Sequence, residues 1–203
     1  MVRNLVKQHI VKNLWQYALL FVIFLMGTVV GVINATDLDG PTRTHLVQII
    51  DNFLKGEDIG SQGGYRLFFT AFINQARVIA MIWFLGLTVI GIPFIFAIIF
   101  FKGFSLGFTL GFLIKEKAWQ GILMATASVV PQNLLYIPLF LAWAVTGVNF
   151  SLCLVRGRFS RGSALGPGLV TYTGLMLVFL SVFFLGAFIE AFLSPWLLDL
   201  VVK

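Results

Sequence analysis

The chain has 203 residues, of which 59% are hydrophobic and 11% charged, with a net charge of +6 at neutral pH. A soluble domain carries about 25% charged residues, so this composition belongs to an integral membrane protein. The basic residues stand at the ends of apolar stretches rather than in one patch, which assigns them to membrane topology and not to nucleic acid; the single cysteine, Cys153, excludes an internal disulfide framework.

Residues 1–13 carry Arg3, Lys7 and Lys12 and no acid, the signature of a cytoplasmic end. A first span is expected over Leu14–Ile33, too long for a signal-peptide core and without a small-x-small cleavage site. It contains Gly27 and Gly31, a spacing that lets another helix approach closely. Residues 34–75 form an outer segment. Its long polar part, residues 34–66, holds more acids than bases, and Leu46, Ile49, Ile50, Phe53 and Leu54 recur at helical spacing. An amphipathic helix is expected there, resting on the membrane or on a partner. A second interfacial helix is expected around Phe68–Arg77.

The next span is expected over Val78–Phe101, kinked at Pro93 and closed by Lys102 on the cytoplasmic side. Gly103, Gly107 and Gly111 then recur every fourth residue, with Phe104, Phe108 and Phe112 as a parallel stripe. This glycine zipper packs within the bundle or mediates self-association into a homo-oligomer. The stretch 103–114 is short for a span, since about twelve residues rise only ~18 Å. Residues 118–133 are expected as an outer re-entrant segment ending in Pro131, Gln132 and Asn133, with Pro138 close behind. Prolines and amides in apolar surroundings need protein or water to satisfy them. They cap a re-entrant turn by hydrogen bonding, or they line a substrate path or a docking point. Leu134–Val155 and Pro167–Phe192 complete the spans, separated by Arg156, Arg158 and Arg161. The expected fold class is therefore all-α, a polytopic helical bundle of about five transmembrane helices with one short re-entrant or half-helix segment. The N-terminus is cytoplasmic and the C-terminus outside.

Little in the chain points to catalysis. His9 and His45 are the only histidines and fall outside the spans. No HExxH, GxSxG, Walker A or GxGxxG pattern occurs. No catalytic residue, metal ligand or cofactor is assigned. Glu190, flanked by Phe188-Ile and Ala-Phe192, is the one acid set in an apolar run. It either pairs with Arg66 or Arg77 or snorkels to the outer headgroups.

Phe24-Leu-Met-Gly27, Gly91-Ile-Pro93, Lys102-Gly-Phe-Ser-Leu-Gly-Phe-Thr-Leu-Gly-Phe112, Ser128-Val-Val-Pro-Gln-Asn133 and Ile189-Glu-Ala-Phe-Leu-Ser-Pro195 together resemble the stage II sporulation protein M family over nearly the whole chain. The resemblance implies an endospore-forming bacterium and a place in the mother-cell membrane at the sporulation septum. It implies a non-enzymatic scaffold for septal peptidoglycan remodelling and forespore engulfment. Its implied partners are stage II sporulation proteins D and P, both cell-wall hydrolases. The alternative is a permease-like subunit that borrows a separate ATPase, because short half-helices also build transporters.

Overall fold

A computed structural model describes residues 11–54, 63–155, 165–188 and 190–191. The first ten residues, the loop of Arg156, Arg158 and Arg161, and the Ser194-Pro195-Trp196 tail lie outside the described residues. The described chain forms α1 (Leu14–Thr36), α2 (Gly40–Leu54), α3 (Gly63–Gly86), α4 (Gly91–Ser128), α5 (Val130–Val155) and α6 (Leu165–Phe188). Five stretches are long and apolar enough to cross a membrane: Leu14–Thr36, Tyr65–Gly86, Gly91–Glu116, Val130–Val155 and Gly166–Phe188. No strand occurs among the described residues, and the fold is an all-α multi-pass bundle.

The expected span 78–101 is not one helix. The chain ends α3 at Gly86, turns through Leu87–Ile90, and starts α4 at Gly91. Thr88 N–H bonds the Leu85 carbonyl at 3.0 Å and Gly91 N–H bonds the Thr88 carbonyl at 3.2 Å. A Cβ on Gly91 would strike the Leu85 carbonyl, so only glycine fits this close turn. Pro93 falls in the first turn of α4, where no carbonyl waits for its missing N–H, and it starts a helix instead of kinking one. Two corrections follow. The residues expected as an interfacial helix, Phe68–Arg77, belong to α3. The zipper 103–114 is the second half of a full-length helix, not a short one.

The expected re-entrant segment 118–133 divides as well. Ala118, at φ 47° and ψ −120°, breaks α4 and is the one non-glycine residue with positive φ among those described. Beyond it the helix doubles back, and Gly121 lies against the Leu113 carbonyl. Pro131, Gln132 and Asn133 form no turn. They are the first turn of α5, again a position that tolerates proline. The Asn133 side chain bonds locally, its Nδ2 donating to the Val129 carbonyl at 2.8 Å. Pro138 is inside α5, on an exposed face.

Glycine sets the closest pairing. α1 and α4 run parallel, with Gly27 against the backbone of Phe100 and Phe104, and Gly31 against Phe104 and Phe108. From the other side Gly103 meets Phe24, Gly107 meets Thr28, and Gly111 lies 3.0 Å (as an added Cβ) from Val32 Cα. Each zipper glycine thus receives the partner's backbone. In lipid, where apolar contact alone drives little association, such close van der Waals packing is what holds helices together. The Phe104, Phe108 and Phe112 stripe stacks beside it with centroids 6.1 and 6.3 Å apart.

α3, α5 and α6 form the other half. Trp143, fully buried, donates its indole N–H to the Ile79 carbonyl at 3.0 Å. Tyr172 donates to the Ile82 carbonyl at 3.2 Å, and Ser151 to the Thr88 carbonyl at 2.8 Å. These bonds set α3 parallel to α5, and they satisfy polar groups that lipid could not. Phe68 and Phe72 of α3 pack edge-on to Phe184, so α6 runs antiparallel to α3. The bundle therefore has a near end, where α1 begins and α5 stops, and a far end, where α1 and α6 stop.

α2 lies at the far end. Arg43 clasps Glu116 with two bonds, Nε to Oε1 at 2.6 Å and Nη2 to Oε2 at 3.1 Å. Beside it Lys115 Nζ donates to the Thr36 carbonyl at 2.5 Å. Residues 40–45, Gln48 and Ile49 are exposed.

Candidate functional site

Within the far half of the bundle, four segments bring polar side chains together in apolar surroundings. Lys102 stands near the middle of the Gly91–Glu116 stretch, Gln75 near the middle of Tyr65–Gly86, Tyr136 on α5, and Glu190 just past the end of α6. Lys102 Nζ donates to Gln75 Oε1 at 3.0 Å and lies 4.6 Å above the Phe140 ring. Tyr136 O–H donates to Glu190 Oε2 at 2.9 Å. The Gln75 amide also hydrogen-bonds the Glu190 carboxylate, and Lys102 acts on the same group through space. The result is one polar chain, with Gln75 accepting from the lysine and donating to the carboxylate, and Tyr136 closing the other side.

Local sequence explains each placement. Gly186 has no side chain because Tyr136's ring occupies that space; a Cβ there would strike Cε1 of the ring. The ring then stacks on Phe183 at 5.3 Å and 13°, which aims its hydroxyl toward Glu190. Phe140 packs against Phe183 at 4.6 Å and offers its face to the ammonium, a favourable place for a desolvated cation.

A cavity of about 40 Å³ adjoins the cluster, lined by Phe24, Gln75, Lys102, Asn133, Tyr136 and Phe140 among others. That volume holds roughly two or three waters, and the lining offers them several polar partners.

Several expected residues meet here and several do not. Glu190 is in the cluster, but its neighbours are Lys102, Gln75 and Tyr136 rather than Arg66 or Arg77. Asn133 lines the cavity, while Gln132 and Pro131 lie on the first turn of α5 and Pro138 faces outward. Gly27, Gly31, Gly103, Gly107 and Gly111 build the α1–α4 seam. Gln75 and Tyr136 carry no site role in the sequence reading, and Lys102 is expected there only as the cytoplasmic end of a span. Lys102 reads as a span end only while Pro93 is taken for a kink. Once Gly91 starts the helix, an apolar run from Gly91 to Ile114 places that lysine in its middle.

Among the described residues no group of three or more His, Cys, Asp and Glu stands together as metal ligands. The cluster is suited instead to holding and moving protons and to ordering water.

A bundle of this kind defines a multi-pass, all-α membrane protein with a polar centre. The family model described as stage II sporulation protein M matches residues 20–195, and the chain belongs to that family of sporulation-related membrane proteins. No curated protein and no solved structure matches the chain.

Proposed function

We propose that the protein is a non-enzymatic membrane scaffold of sporulation, sitting in the mother-cell membrane at the septum and gathering wall hydrolases for peptidoglycan remodelling and engulfment. The observation that carries this reading is α2. It is a helix outside the five apolar stretches, fixed to the far end of the bundle by the Arg43–Glu116 clasp, with an exposed surface from Gly40 to His45. The far end is the extracytoplasmic end in this proposal, because the chain's basic segments, residues 3–12 and 156–161, lie at or next to the near end in sequence. Its partners are stage II sporulation proteins D and P, as family membership suggests.

Purification from sporulating cells with native membrane partners tests the proposal. Recovery of the two hydrolases is expected; recovery of an ATPase without either hydrolase contradicts it. The orientation is tested separately by labelling Lys117→Cys and Ser160→Cys in a Cys153→Ser background. Position 117 reacts from outside and position 160 only from inside; the reverse pattern inverts the bundle.

A second reading has one specific support. The Lys102–Glu190 cluster is an intramembrane ionisable site, a feature common on transport pathways, and it favours a permease-like subunit with a separate ATPase. The same purification distinguishes the two.

A further inference from the structure

Removing ionic groups from water is costly, and packed apolar residues of similar volume hold a bundle together at least as well. Lys102 and Glu190 are nevertheless embedded together, joined through Gln75 and closed by Tyr136. Among the described residues, protein groups do not fill the donor inventory of Lys102. Of the three N–H groups on Lys102, one is given to Gln75 and one direction faces the Phe140 ring. A third is left for the cavity that the lysine lines. That cavity adjoins Tyr136 and Asn133, and its polar walls can hold water.

Among the described residues, the groups that act on Glu190 are Tyr136 of α5, Gln75 of α3 and Lys102 of α4, so that Lys102 is the charged neighbour and Tyr136 the other titratable one. The adjoining cavity is lined in addition by Phe24 of α1 and Asn133 of α5.

We propose that Lys102, Gln75, Tyr136 and Glu190 form a hydrated proton-binding site whose occupancy controls how firmly the end of α6 is held to α3, α4 and α5. Hydronium gives its proton to the Glu190 carboxylate, leaving a carboxylic acid and a water; release returns the proton to water. With Glu190 neutral, Lys102 becomes a half-buried cation with no counter-charge among the described residues around it, and the bond from Tyr136 loses its charged acceptor. The seam loosens where the chain continues from α6 into its C-terminal tail. This inference stands apart from the scaffold reading and holds whether or not hydrolases bind.

Difference infrared spectroscopy on the whole protein in nanodiscs tests it. The chain has three glutamates, Glu57, Glu116 and Glu190, so carbon-13 labelling of glutamate carboxyls isolates three groups. Between about pH 4 and 9, one carboxylic C=O band titrates, exchanges promptly in heavy water, and is missing from Glu190→Gln. In Lys102→Met its midpoint moves to higher pH, because the neighbouring cation is gone. Absence of a band assignable to Glu190, a band that resists exchange, or an unmoved midpoint overturns the proposal. Should Lys102→Met fail to fold, Tyr136→Phe carries the test. It removes one hydroxyl, and an unchanged band frequency and midpoint in that variant likewise overturn it.

Discussion

The α1–α4 seam and the cluster joining α3 to the end of α6 hold helices together in opposite ways. The seam is close-packed. Gly27, Gly31, Gly103 and Gly107 admit backbone against backbone, and the one charged group described on it, Lys115 on the Thr36 carbonyl, stands at its far end. The cluster is polar, with Lys102, Gln75, Tyr136 and Glu190 bridging helices through side chains and a cavity left beside them. Close packing without polar groups has one stable arrangement, which suits a frame. A hydrogen-bonded charged cluster has alternative protonation states, which suits a part that responds. The rigid half and the responsive half of the bundle are distinguishable on that basis.

The largest effect is expected at the seam. Gly107→Leu forces a side chain into the Thr28 backbone and costs upward of about 3 kcal/mol, the upper end for overpacking. It should abolish accumulation of folded protein, measured as the monodisperse fraction after detergent extraction. Gly174→Ala, where a Cβ meets nothing within 4 Å, should accumulate normally. Equal behaviour of the two would dissolve the contrast.

The cluster should break differently. Lys102→Met alone leaves Gln75 without its donor and the half-buried Glu190 without its neighbouring cation, and is expected to lower stability by about 1–3 kcal/mol. Adding Glu190→Gln should recover most of that loss, which a thermal-unfolding series on the single and double variants reads directly. Losses that simply add would show that the two groups do not act as a pair. No such rescue is available to Gly107→Leu from any change on its own helix.

Two smaller effects sharpen the picture at the far end. Ala118 holds a backbone conformation that glycine adopts freely, so Ala118→Gly should raise stability by up to about 1 kcal/mol through relief of strain. A fall in melting temperature would mean the turn is not strained there. The Arg43–Glu116 clasp is half exposed on the arginine side, and water and salt screen a pair in that position. Arg43→Gln should therefore barely change unfolding, yet speed amide exchange in α2 selectively. Unaltered exchange in α2 would show that something else holds the helix.

The sequence carries some of this contrast plainly. Glycine every fourth residue from Gly103 to Gly111 marks a close-packed face, because only small residues permit that approach. The five apolar stretches are visible as runs of hydropathy. What local sequence does not decide is where a proline stands relative to its helix. Pro93 reads as a kink and Pro131 as part of a re-entrant turn, yet each can equally stand in a first helical turn, where the missing N–H costs no bond. The choice between them moved Lys102 from a span end to mid-bundle and Pro131–Asn133 from a turn to a helix start. Gln75 and Tyr136 escape notice for another reason. Each is unremarkable in its own helix, and their meeting with Glu190, more than fifty residues away in sequence, is a product of the antiparallel packing of α6.

The central functional claim is that α2 presents a docking surface for wall hydrolases. It is tested most directly by replacing Gln48, exposed on α2, with a photo-crosslinking amino acid in sporulating cells. The account predicts a covalent adduct with stage II sporulation protein D or P. Adducts confined to lipid, or formed with an ATPase instead, would contradict it.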